Sequence, residues 1–131
     1  MIALDTNVLV RILVEDDAEQ TARARALVED LDRSGQRAHV ADIVLAEVAW
    51  VLRTCYDFGR KDIARALGAL LAARQLAFEN AHRAHRALAS YEGGKGDFAD
   101  YGIRESARAA DCTTIKTFDK ALLREDLFSP P

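Results

Sequence analysis

Proline is almost absent: the only two, Pro130 and Pro131, close the chain. None therefore interrupts the alanine-rich body, where helices are expected. Cysteine is equally scarce. Cys55 and Cys112 lie far apart beside apolar residues, with no metal-type spacing. They read as reduced core thiols and not as a disulfide framework. No stretch approaches the roughly 18 apolar residues of a membrane span. The opening Met1-Ile2-Ala3-Leu4-Asp5 has no basic region, and its apolar run ends at an acid, which predicts no signal peptide. Together these absences predict a cytoplasmic location.

An excess of positive charge is also missing. The net charge is −3, which argues against passive binding of nucleic acid to a basic surface. For a phosphate-bearing substrate, something local must offset the acids, and bound divalent cations are the obvious candidate. There is no repeat, no low-complexity tract and no linker. What is present is ordinary globular composition: 131 residues, half of them apolar and 30% charged. That suits a single domain over residues 1–131, large enough to bury roughly two thirds of its unfolded surface.

The hydrophobic pattern predicts short strands at 2–5, 37–41, 75–78 and 113–117. Between and after them it predicts helices over about 6–14, 17–34, 42–56, 60–74, 80–91, 97–110 and 119–124. Residues 92–96, Glu92-Gly93-Gly94-Lys95-Gly96, form a loop, and Asp42 and Asp97 stand where helix caps belong. Apolar strands alternating with helices imply an α/β fold with a parallel sheet covered on both faces. Right-handed crossovers place the strands' carboxyl ends on one edge, where such folds bind ligands.

Five acids stand out against that frame. Asp5 closes the first strand, which should be central, and Asp119 ends Thr114-Ile115-Lys116-Thr117-Phe118-Asp119 in the same way; each is equally placed to cap the helix that follows. Glu47 lies in Ile43-Val44-Leu45-Ala46-Glu47-Val48-Ala49-Trp50-Val51-Leu52, where nine of ten residues are apolar. That helix has no ordinary solvated face, so partial burial of Glu47 is expected. A buried, unpaired carboxylate costs on the order of several kcal/mol, so it needs a metal, a proton or a partner such as Arg53 or Arg11. Asp97 and Asp100, in Gly96-Asp97-Phe98-Ala99-Asp100-Tyr101, share the first turn of one helix, as metal ligands or as a capping box. Several carboxylates brought together repel one another, and a divalent cation relieves the repulsion. Ligands that are all oxygen favour Mg²⁺ or Mn²⁺ over zinc. These residues point to a metal-dependent nuclease.

The motifs also resemble a known family. Met1-Ile2-Ala3-Leu4-Asp5-Thr6-Asn7-Val8-Leu9-Val10 is similar to the opening of a PIN domain, specifically a VapC-type toxin. The similarity continues through Leu45-Ala46-Glu47-Val48-Ala49-Trp50-Val51-Leu52, Gly96-Asp97-Phe98-Ala99-Asp100 and Thr117-Phe118-Asp119, in family order. The resemblance implies a three-layer α/β/α PIN-like fold with a central, mostly parallel sheet of four to five strands. It implies a Mg²⁺-dependent endoribonuclease that cleaves RNA, is held inactive by a cognate antitoxin, and forms a homodimer. Asp5, Glu47, Asp100 and Asp119 match the acidic positions, and Asp97 is a further metal candidate. Thr6 and Asn7 match a polar pair that orients the first acid, and Thr117 matches a supporting hydroxyl. The chain departs from the family at Tyr101, where a small residue is usual; a ring there narrows the site or stacks on a base.

Other residues carry weaker expectations. Lys95 and Lys120 flank the acidic edge and, with Tyr101, are the candidate RNA contacts. Arg11, Arg53, Arg104 and Lys116 are less specific candidates for phosphates. His39 reads as structural, and His82 and His85 as part of a solvated basic face. Trp50, Tyr56 and Phe58 suit a core or a dimer interface. Two rivals to the nuclease are a non-catalytic PIN-like binding module and a Mg-dependent phosphatase of the haloacid dehalogenase type. The phosphatase chemistry wants a second aspartate where Asn7 stands.

Overall fold

The structure, a computed structural model, describes all residues from Met1 to Pro131. By its internal contacts the chain falls into two compact units, Met1–Ala81 and His82–Pro131.

The first unit alternates strand and helix. β1 (Ile2–Ala3), β2 (Ala38–Val40) and β3 (Leu76–Phe78) form a parallel sheet in the order β1-β2-β3. Ile2 is level with Ala38, and Ala38 with Leu76. Parallel neighbours require crossovers, which here are α1 (Thr6–Leu13) with α2 (Ala18–Ser34), then α3 (Asp42–Tyr56) with α4 (Arg60–Ala72). The sequence places β1 at the centre and buries it. Within this sheet the central strand is instead β2, whose Ala38 and Val40 are fully buried, whereas Ile2 is 45% exposed.

Local chemistry sets the helix ends. Asp17 caps α2 by accepting the Gln20 N–H at 3.0 Å. At the other end Gly35 takes a left-handed φ of 68°, a conformation that a side chain disfavours. The expected cap of α3 is replaced from elsewhere. Asp42 is already helical, and its N–H is satisfied by Glu79 Oε1 at 3.0 Å, just beyond β3. Leu9, Val40, Val48, Leu52 and Leu67 are fully buried in this unit's core.

The second unit contains α5 (Ala81–Gly93, which starts at the unit boundary), α6 (Phe98–Ala109), β4 (Ile115–Lys116), a 3-10 turn (Leu122–Arg124) and β5 (Phe128–Ser129). β4 and β5 pair in parallel, Ile115 level with Phe128. The sequence patterning misses β5, which has only two residues and follows Leu127 at a positive φ of 77°. The final helix expected over 119–124 shrinks to the 3-10 turn. Five strands thus occur, all paired in parallel, and backbone hydrogen bonds join them as three and two. No helix is long and apolar enough to cross a membrane. Both cysteines, expected in the core, are free and exposed.

Candidate active site

Within each unit an acid stands just beyond the carboxyl end of a parallel strand. In the first it is Asp5. The ladder runs on past β1, with Leu4 N–H donating to the His39 carbonyl at 3.0 Å. Asp5 then turns the chain into α1, its Oδ1 accepting the Thr6 N–H at 2.7 Å. The cap therefore exists, but it engages only one carboxylate oxygen, and Asp5 is exposed. Thr6 contributes its backbone N–H; its hydroxyl is buried and finds no partner, an uncommon state for a buried polar atom. Asn7 is exposed in the first turn of α1.

Glu47 departs from expectation. α3 buries Val44, Leu45, Val48, Ala49 and Leu52, and Glu47 lies on the other side, exposed. Its apolar neighbours there are Ile43 and Trp50, 68% and 58% exposed. An almost wholly apolar helix still presents only one face to its own core, so the outer residues stay apolar without being covered. No core ion pair forms with Arg11, which bonds to Gln20, Asp16 and Tyr56.

In the second unit the acids surround a glycine loop. Asp97 and Asp100 form a capping box at the start of α6, with Asp97 N–H donating to Asp100 Oδ2 at 2.7 Å. The next residue, Tyr101, is 1% exposed. Its hydroxyl donates to Glu125 Oε1 at 2.6 Å and accepts the Gly96 N–H at 2.9 Å. Glu125 Oε1 also accepts the Lys95 N–H at 2.8 Å. A Cβ on Gly94 would meet the Tyr101 hydroxyl at 1.8 Å, and one on Gly96 would meet Leu122 at 2.7 Å. Glu92 and Gly93, expected in the loop, are the last residues of α5, whereas Gly94 and Gly96 let the backbone close over the Tyr101 ring. That corrects the expectation that Tyr101 offers its ring to a base: it is a buried post beneath the loop. Lys95 and Lys120 are both exposed.

Asp119 follows β4 after Thr117 and Phe118. Its N–H donates to Thr117 Oγ1 at 3.0 Å, and its Oδ1 accepts the Ala121 N–H at 2.9 Å. The Thr117 hydroxyl therefore fixes the backbone of Asp119. The carboxyl of Asp100 holds its proton more tightly than an ordinary aspartate. Partial burial is the main cause; the Asp97 N–H bond opposes it, and the charges of Asp97, Asp119 and Glu125 add to it. This crowding of negative charge on oxygen donors alone is the environment a hard divalent cation relieves, so the residues fit such an ion chemically. Neither unit by itself gathers three acidic, histidine or cysteine side chains into a ready-made metal cage.

The sequence matches the PIN domain family over residues 2–126. The chain belongs to the PIN family. No curated protein matches it. PIN domains are generally metal-dependent nucleases, and the chain shares their α/β fold class. The family match runs through both units and includes all five candidate acids. In this PIN chain, sequence reasoning missed Glu125, which ties the glycine loop to Tyr101. Glu125, beside Asp126 at the end of a short 3-10 segment, carries no periodic signal, and its partners lie 24 and 30 residues away. It also missed the ring of Arg11, Asp16 and Tyr56, whose members are 5 to 45 residues apart.

Proposed function

We propose that this PIN-family protein is a Mg²⁺-dependent endoribonuclease that hydrolyses RNA phosphodiesters. The observation that carries the reading is the state of Asp100: a half-buried carboxyl in the third PIN motif, its ionisation opposed by burial and by three further acids. Structural capping alone does not require such a concentration of like charge. Bound Mg²⁺ supplies charge neutralisation at the phosphate and a more acidic water. Asp5 and Asp100 are the direct ligands in this reading. Asp5 retains an uncommitted carboxylate oxygen beyond its cap bond. Glu47 and Asp119 support the same reaction, by holding water or a second ion, with Asp119 kept in place by Thr117. Asp97 orders the helix start and adds negative charge. Mn²⁺ would satisfy the same donors.

The order and spacing of the four motifs support a finer reading: a VapC-type toxin working as one PIN-like domain in the cytoplasm and silenced by a cognate antitoxin. A homodimer completes it, and Ile43 and Trp50 on α3 are apolar surface that such an assembly would bury. The direct test is cleavage of RNA with Mg²⁺ by the wild type, Asp5→Asn, Asp97→Asn and Asp100→Asn. Asp5→Asn and Asp100→Asn are expected to lose cleavage while staying folded. Asp97→Asn is expected to lower stability and retain turnover. Full cleavage by folded Asp5→Asn or Asp100→Asn would refute the assignment.

A further inference from the structure

A nuclease of net charge −3 must still hold a polyanion, so cations that are not already paired with carboxylates matter most. Most arginines of the first unit are committed. Arg25 pairs with Glu15, Arg33 with Asp30, Arg65 with Asp62 and Arg74 with Asp32, while Arg37 donates to the Leu76 carbonyl at 2.8 Å. Arg23, on α2, has no such partner and is exposed. It lines a cleft of about 340 Å³ between α1 and α2, together with Asn7, Arg11 and Gln20. No carboxylate lines this cleft; its remaining walls are apolar.

Arg11 is held in place there. Its Nε donates to Gln20 Oε1 at 2.6 Å, and its Nη1 donates to Asp16 Oδ1 at 3.2 Å and to the Tyr56 hydroxyl at 3.1 Å. Tyr56 in turn donates to Asp16 Oδ2 at 2.7 Å. This frame fixes the guanidinium plane and leaves Nη2 without a hydrogen bond. A fixed guanidinium with free donors loses little entropy on gripping a phosphate. Asp16 balances the charge of Arg11, so the net positive charge of the cleft comes from Arg23. Asn7 and Arg11 share one face of α1, four residues apart. Asn7 is two residues from Asp5, and Arg11 lies about 9 Å farther along the helix axis than Asp5.

We propose that the α1–α2 cleft binds a phosphate of the RNA strand next to the scissile bond, gripped by the framed Arg11 and the unpaired Arg23 with the Asn7 amide beside them. The inference rests on the nuclease reading above and adds a path for the substrate. The test is fluorescence anisotropy of a short labelled single-stranded RNA, metal-free to prevent cleavage, across a range of salt. The wild type, Arg23→Gln and Arg11→Lys are compared. Arg23→Gln is expected to weaken binding roughly 3- to 10-fold and to flatten the log–log salt slope by about 0.7, the loss of one phosphate contact. Its melting temperature should not move, because Arg23 holds nothing in the fold. Arg11→Lys should weaken binding despite keeping the charge, because one ammonium cannot both hold the Gln20–Asp16–Tyr56 frame and present the donors that Nη2 leaves free. Unchanged affinity and slope in Arg23→Gln would overturn the inference. So would a variant that binds RNA normally but loses affinity for an acidic peptide, since the cleft would then serve a protein partner. Cleavage by the wild type with Mg²⁺ is measured in parallel. If it is absent while Arg23→Gln still weakens RNA binding, the cleft stands and the catalytic reading falls.

Discussion

Asp100 is where stability and chemistry conflict most clearly. Its carboxyl is pushed above the ordinary 3.8 by burial and by neighbouring acids. Below pH 3.8 the folded and unfolded chains both keep the proton, and the site costs nothing. As pH rises, the unfolded chain loses its proton first, so folding stability falls until the folded carboxyl has ionised as well. Asp100→Asn removes that charge, and the amide oxygen can still accept the Asp97 N–H. The variant should therefore melt above the wild type at pH 7, with the difference closing as pH falls toward 3.8; calorimetric melting across pH checks this. Mg²⁺ should raise the melting temperature of the wild type more than that of Asp100→Asn. At this scale the sequence reading located the acids by type and spacing but not their surroundings. The exposure of Glu47 depends on which side of α3 meets the core, and an apolar stretch that is nearly continuous does not encode that choice. Asp97 and Asp119 do cap local turns, and capping does not compete with the proposed role of either.

At the scale of elements, helices with polar punctuation were the most legible. α3 occupies the residues that its pattern predicts, and α2 stops at the expected Gly35. Strands were less so, because β1, β4 and β5 have two residues each, too few for alternation to show. The loop expected at residues 92–96 is real only from Gly94 on, because α5 runs two residues farther to Gly93; its role as a cover for Tyr101 was not legible, since that depends on Glu125, about thirty residues away. The packing makes a distinction that can be measured. Gly94→Ala places a methyl 1.8 Å from the Tyr101 hydroxyl and should lower the melting temperature clearly, whereas Gly102→Ala, inside α6, meets nothing within 4 Å and should hold or raise it. Tyr101→Phe removes the hydroxyl that joins Gly96 to Glu125 and should cost about 1–3 kcal/mol in urea unfolding. The same variant should retain RNA binding, because the ring is buried and meets no base.

For the molecule as a whole, fold class and family were readable because four motifs recur in order along most of the chain, and the PIN match over residues 2–126 agrees. Composition predicted no membrane-spanning helix, and none occurs. Burial of the cysteines was not readable, since neighbouring apolar residues do not fix which side of a turn faces inward. If the exposed Ile43 and Trp50 mark a self-association surface, Trp50→Glu should convert a dimer into a monomer in sedimentation analysis, with RNA cleavage per site reported alongside. The central claim is that this PIN chain cuts RNA through its carboxylates with a divalent ion. The most direct measurement is cleavage of a single-stranded RNA by wild type, Asp5→Asn and Asp100→Asn as Mg²⁺ is titrated in and then removed with a chelator. Cleavage by the wild type should rise with Mg²⁺ and stop with the chelator, and each folded variant should lose on the order of 100-fold or more. Wild-type cleavage that persists in chelator, or folded variants that cut as fast as the wild type, would contradict that claim.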